Sequence, residues 1–199
     1  MFAVLTGDIV NSRATTGSPW LKGLKQALSQ YGASPQDWEL FRGDSYQLIV
    51  PAQKALEAAL YIKACIKQQA PYDVRQGIGI GDRDFHAPRI TESNGTAFVH
   101  SGEAFEGLGK NFLVIRTSDP QLNQALEVMT ELAGLTIDSW TPTTSEVIRL
   151  KLERPDANQT KLARLLRKSQ SSISDSLSRG GFSQVMKFNT YYKKALETL

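Results

Sequence analysis

Thr160-Lys161-Leu162-Ala163-Arg164-Leu165-Leu166-Arg167-Lys168-Ser169-Gln170-Ser171-Ser172-Ile173-Ser174-Asp175-Ser176-Leu177 reads as two short helices joined by a tight turn. In a helix-turn-helix a small residue sits where the helices cross, here Ala163. Leu166 closes the first helix, and Ile173 and Leu177 face inward from the second. Ser171, Ser172, Ser174, Asp175 and Ser178 are then left outside, where short polar side chains fit a major groove and reach base edges. Lys161, Arg164, Arg167, Lys168 and Arg179 are candidate phosphate contacts. Gln170, Ser171, Ser172 and Ser174 are candidate base readers. The pattern departs from the usual motif at the turn, where Arg167 replaces a glycine and Lys168 an apolar residue. Asp175 also places a negative charge on the outer face. A small trihelical domain without DNA affinity shares this pattern.

Around the motif, Thr143 to Leu152 has the spacing of a leading helix, broken at Arg154-Pro155-Asp156-Ala157-Asn158. Gly180-Gly181 ends the second helix of the motif, and Phe182, Val185, Met186, Phe188, Tyr191, Tyr192 and Leu196 give a final helix its apolar face. Charge gathers in the same region. Residues 140–199 hold 11 Lys+Arg against 5 Asp+Glu, a balance of +6, and residues 1–139 the remaining 12 against 15, a balance of −3. Nucleic acid rewards positive charge through counterion release, so a basic module on a mildly acidic body is expected to contact DNA. The boundary between the two domains is expected at 139/140.

Bulk properties exclude other classes. A chain of 199 residues with 41% hydrophobic content buries one substantial core and a small second one. The start, Met1-Phe2-Ala3-Val4-Leu5-Thr6-Gly7-Asp8, lacks the basic lead and the apolar length of a signal peptide, and no segment approaches membrane-spanning length. A cytoplasmic protein is expected. The one cysteine, Cys65, falls in an apolar helical pattern and reads as a buried structural thiol, and two histidines give zinc almost no ligands.

In the first 139 residues, periods of two and of 3.6 alternate. Phe2 to Val10 is an apolar run, the pattern of a strand buried on both faces. Ser18-Pro19 reads as an N-cap and first helical residue before Trp20, Leu21, Leu24, Ala27 and Leu28. Trp38 to Phe41 and Tyr46 to Val50 are strands joined by the hairpin Arg42-Gly43-Asp44-Ser45. An amphipathic helix follows from Ala55 to Ile66. Val74 to Ile80 is a strand in which Gly77, Gly79 and Gly81 alternate with Ile78 and Ile80, as where a ligand, a second subunit or a tightly packed helix approaches. A short helix is expected over 98–108, a strand over 112–115, and a helix over 121–135 with Leu122, Ala125, Leu126, Met129 and Leu132 inward. The order βαββαβαβα predicts an α+β domain, a ferredoxin-like sheet with helices, ahead of the all-α tail.

The segments Thr6-Gly7-Asp8-Ile9-Val10-Asn11-Ser12, Phe41-Arg42-Gly43-Asp44-Ser45-Tyr46, Gly77-Ile78-Gly79-Ile80-Gly81 and Ser101-Gly102-Glu103-Ala104-Phe105-Glu106 resemble the bacterial SatD family over nearly the whole chain. The first three also resemble a reduced class III nucleotidyl cyclase or GGDEF-type domain, in which one Asp ends the first strand and a second acid sits at the hairpin tip. Asp8 and Asp44 match those positions. The resemblance implies a ferredoxin-like core, a C-terminal helix-turn-helix, and pairing of two copies.

Two carboxylates at a strand end and a neighbouring hairpin tip offer hard oxygen ligands for Mg²⁺ or Mn²⁺ beside a phosphate. Each has a second reading: a hairpin Asp serves its turn, and a strand-terminal Asp caps a loop. Asn11, Ser12 and Arg13 precede a helix whose free N–H groups would face a nucleotide phosphate, or they form a solvated loop. Arg42 beside Gly43 is a phosphate contact or an exposed strand-end cation. Glu103 and Glu106 either join the acids or line the solvated side of a helix, the commoner outcome. Cyclases carry an Asn and an Arg on the helix after the fourth strand. Aligning Gly95 with the glycine opening that motif puts Val99 and Glu103 in those places, and Leu40 stands where a base-selecting Lys is usual. A carboxylate does not stabilise developing negative charge, so cyclase activity is not expected. Two functions follow: a homodimeric DNA-binding transcriptional regulator whose cyclase-like N-terminal domain senses a nucleotide or other phosphorylated ligand and mediates dimerisation, or a metal-dependent enzyme on a phosphoryl substrate.

Overall fold

The strand Phe2–Val10 (β1) is apolar along both sides and is covered on both. It lies at the centre of a five-stranded sheet that a computed structural model describes, with the rest of residues 1–199, as part of an α+β fold. With β2 (Trp38–Phe41), β3 (Ser45–Pro51), β4 (Asp73–Gly81) and β5 (Leu113–Arg116), the order is β2-β3-β1-β4-β5. All neighbours are antiparallel except β4 and β5, which are parallel. Alternation along β1 divides its residues. Ala3, Leu5 and Ile9 join the large core with α1 (Trp20–Leu28) and α2 (Ala55–Ile66), while Val4 meets Ile49, Ile90 and Ala97 on the opposite face.

That second face is roofed by α3 (Thr96–Glu106), which lies on the glycines of β4. A Cβ on Gly77 would meet the backbone of Ala104 and Phe105, one on Gly79 the backbone of Ala97 and Ser101, and one on Gly81 that of Ala97. Of the three approaches the glycine pattern allows, helix packing is the one found. Thr6 and Ser101, both buried, share a hydrogen bond of 2.7 Å across this contact.

On the first face α4 (Pro120–Ile137) runs beside β5, its N-terminus capped by the Asp119 carboxylate. Then come α5 (Pro142–Glu153), α6 (Gln159–Leu166), α7 (Gln170–Arg179) and α8 (Phe182–Ala195). The expected boundary at 139/140 falls in the α4–α5 connection, yet the two parts share apolar packing: Ile148, Val185, Phe188, Tyr192 and Leu196 belong to the large core. Trp140 donates to the Gly180 carbonyl (2.9 Å) and Tyr192 to the Ala52 carbonyl (2.8 Å). A smaller core of Val147, Leu150, Ala157, Leu162, Ala163 and Ile173 lies under α6 and α7.

The ammonium of Lys63, on α2, is buried between carboxylates. Its Nζ lies 2.8 Å from both Asp73 and Asp138 and 4.4 Å from the centre of the Phe112 ring. Lys67 completes the group, donating to Asp73 and to the Asp138 carbonyl at 2.8 Å each. This cluster ties the start of β4 to the end of α4.

Four local expectations differ from the structure: Cys65, expected buried, is half-buried, Tyr191, expected on the packing face of α8, is 43% exposed, and Ser18 and Leu132 also depart. Ser18 does not cap α1: its backbone is left-handed (φ 46°), and the helix starts after Pro19 with no side-chain cap. Leu132 faces outward on α4 instead of joining Leu122 and Leu126, because the inward stripe passes through Thr130 and Ile137.

Gly79→Ala should destabilise the fold by roughly 1–3 kcal/mol or more in urea denaturation, because the added methyl meets helix backbone that has nowhere to go. Gly102→Ala, with open space at its Cβ, should instead stabilise α3 by about 0.5–1 kcal/mol. Alkaline pH gives a second check. Burial pushes the Cys65 thiol from 9.0 up to about 12, and burial also raises the hydroxyls of Tyr31, Tyr46 and Tyr192 above their ordinary value. Above about pH 9 the unfolded chain releases protons that the native chain keeps, so it binds fewer protons and the slope of stability with pH is negative. Urea midpoints should fall steadily as pH rises from about 9 towards 12.

Candidate functional site

The sheet end where β1 runs out gathers the acidic candidates. Register places Asp8 opposite Ser45 on β3 and Arg75 on β4. Asp8 lies on the α3 face with Val4 and Thr6, and Arg75 grips it bidentately, Nε to Oδ1 at 3.0 Å and Nη2 to Oδ2 at 2.5 Å. Phe105 of α3 sits near this guanidinium, 5.9 Å from ring centre to Cζ. The bonds to Asp8 raise the pKa of Arg75.

Asp44 reaches the same end from the hairpin. Arg42 and Gly43 both take positive φ, 51° and 90°, within the three-residue loop 42–44 that joins the paired Phe41 and Ser45. The turn sets the Asp44 carbonyl to accept from the Ile9 N–H at 3.1 Å, and Ser12 Oγ donates to Asp44 Oδ2 at 2.6 Å. Asn11, also left-handed (φ 60°), donates to the Pro71 carbonyl at 2.9 Å. Asp8, Asn11, Ser12, Arg42, Gly43 and Asp44 thus share one rim, with Arg13 exposed on the loop beyond. The two aspartates are not equivalent, for a guanidinium holds both oxygens of Asp8 while a hydroxyl holds one oxygen of Asp44. No group of three or more His, Cys, Asp or Glu side chains converges to hold a metal. A metal ion at Asp8 would share these oxygens with the Arg75 guanidinium. Sequence reading missed Arg75, since only the β1–β4 register puts it beside Asp8.

The other candidate surface is α6–α7. Asn158 caps α6 through the Lys161 N–H (2.9 Å), and Ser169 caps α7 through the Ser172 N–H (3.1 Å). Between them Arg167 takes the left-handed conformation (φ 53°) that glycine usually supplies, and the Lys168 N–H closes the turn on the Ala163 carbonyl at 3.0 Å. Leu162, Ala163 and Ile173 are buried as the motif requires. Outside, Lys161, Arg164, Arg167 and Arg179 are exposed, and no carboxylate pairs with them. Lys168 is different, since it reaches Glu146 on α5 at 2.6 Å. Gln170 donates to Gln159 at 2.9 Å, and Ser171 shares a 2.9 Å hydrogen bond with Ser169. Ser171, Asp175 and Ser178 are exposed, and Ser172 and Ser174 are half-buried.

A double-mutant cycle tests the rim. Asp8→Ala and Arg75→Ala should each cost about 1 kcal/mol, moderated by the pair's partial exposure, and the double variant should cost less than their sum by about 0.5 kcal/mol or more. Additivity within about 0.3 kcal/mol in urea melts contradicts the contact. No helix is long and apolar enough to cross a membrane. A scan against protein-family models and searches of curated proteins and of solved structures find no match to this chain.

Proposed function

We propose that this chain is a DNA-binding transcriptional regulator of the SatD type, reading duplex DNA with α7 and gripping phosphates through the turn and α6. The observation that carries the reading is the outer face of α6–α7. Gln170, Ser171, Asp175 and Ser178 of α7 are exposed, framed by four exposed cations, Lys161, Arg164, Arg167 and Arg179, that no carboxylate neutralises. Such cations gain free energy by displacing condensed counterions from a duplex, and a solvated face alone does not call for so many of one sign. Because Lys168 is held by Glu146, its proposed part is to fix the turn against α5.

The sheet domain is proposed as the sensing half. Its order β2-β3-β1-β4 with antiparallel neighbours supports the ferredoxin-like, cyclase-like reading. The rim then takes a nucleotide or other phosphorylated ligand, with Arg13 and Arg42 as the free cations nearest the hairpin and loop. The second reading, a metal-dependent enzyme, is favoured by the convergence of Asp8 and Asp44. Its mark is metal-dependent turnover of a nucleotide panel that disappears in Asp8→Asn.

DNA binding should weaken steeply between about 50 and 200 mM salt in a gel-shift series over genomic fragments. Arg164→Ala and Arg167→Ala should each lower the log–log salt slope by about 0.9, as expected for loss of one phosphate contact. Binding that ignores salt, or none across the fragment set, overturns the proposal.

A further inference from the structure

On α4, Val128, Leu132 and Leu135 are exposed to 54, 63 and 79%, opposite the buried Leu122, Leu126 and Ile137. At spacings i, i+4 and i+7 they form one line along the helix. A single exposed Leu is ordinary, but three in a row on the solvent side of an amphipathic helix make an unpartnered ridge. Beside it runs a groove of about 530 Å³ between α4 and α8, walled by Met129, Leu132 and Ala133 on one side and by Gln184, Val185 and Phe188 on the other. Tyr191, on the α8 face of Gln184 and Phe188 and 43% exposed, extends that wall.

We propose that a second copy of this chain seats here, the ridge of each copy lying in the groove of the other about a two-fold axis. Charge selects this occupant. The helix α4 carries Glu127 and Glu131 and no Lys or Arg, whereas α8 carries Lys187, Lys193 and Lys194 and no Asp or Glu. Lys193 is bound to Glu57 and Glu127 to Arg116 of the same chain, which leaves Glu131 on α4 and Lys187 and Lys194 on α8, all exposed, to meet a partner. A face acidic on one helix and basic on the next is complementary to itself under a two-fold rotation, which lays α4 on α8 and α8 on α4. Ser178 and Arg179 at the end of α7 also line the groove, so the pairing sets the two α7 helices on either side of the axis and leaves Lys161, Arg164 and Arg167 as the cations facing DNA in the paired form.

Sedimentation equilibrium of the full chain, without DNA, tests the pairing separately from the proposed function. At about 100 μM, far above a micromolar Kd, the wild type should sediment at twice the 22.0 kDa of one chain. Leu132→Glu with Leu135→Glu should return it to 22.0 kDa with an unchanged circular dichroism spectrum, since both side chains are exposed. Lys187→Glu should weaken association about tenfold, and Glu131→Lys in the same chain should restore part of it. A monomeric wild type overturns the proposal, as does a dimer whose Kd none of these substitutions changes.

Discussion

A buried ammonium is expensive unless carboxylates meet it, and Lys63 meets two. Its side chain is 4% exposed, so neither Asp73 nor Asp138 can leave without stranding a charge, a loss of about 3–5 kcal/mol in comparable buried pairs. Those two residues lie at telling places. Asp73 opens β4 opposite Val10, where β1 gives way to the loop of Asn11 and Ser12. Asp138 ends α4 just before Trp140, where the chain turns into the four-helix tail. One electrostatic clip therefore fixes the rim of the sheet and the root of the tail to the same helix, α2.

From that anchoring the rest follows by register. With β4 held at its start, Arg75 falls opposite Asp8 and the glycines fall under α3. At the other end of β3, Tyr192 fastens α8 to Ala52. The tail is thereby pinned beside both ends of the sheet, with packed apolar side chains between the two parts. The proposed coupling of ligand to DNA rests on that continuity.

Much of this architecture was legible in local pattern. The run Phe2 to Val10, the hairpin Arg42-Gly43-Asp44-Ser45 and most apolar positions of the last four helices follow from residues close in sequence and lie where expected, Tyr191 being the exception. The glycine stripe announced a close approach without naming what approaches, because α3 arrives from a distant segment. Arg75 was invisible for the same reason, as was the pairing of Lys168 with Glu146: a salt bridge across 22 positions or more leaves no periodic trace. Leu132 misled because spacings of three and four let an apolar residue be assigned to either of two adjoining stripes. The proximity of Asp8 and Asp44 was readable, whereas the grip of a guanidinium on one of them was not.

Arg167 places a branched-at-nothing but Cβ-bearing residue where glycine is at ease, and a left-handed L-residue costs on the order of 1 kcal/mol. In return the bend between α6 and α7 carries a cation at its apex. The fold sets where that side chain leaves the backbone, while its exposed guanidinium keeps its own rotamer freedom, so the strained residue places a charge without fixing its reach.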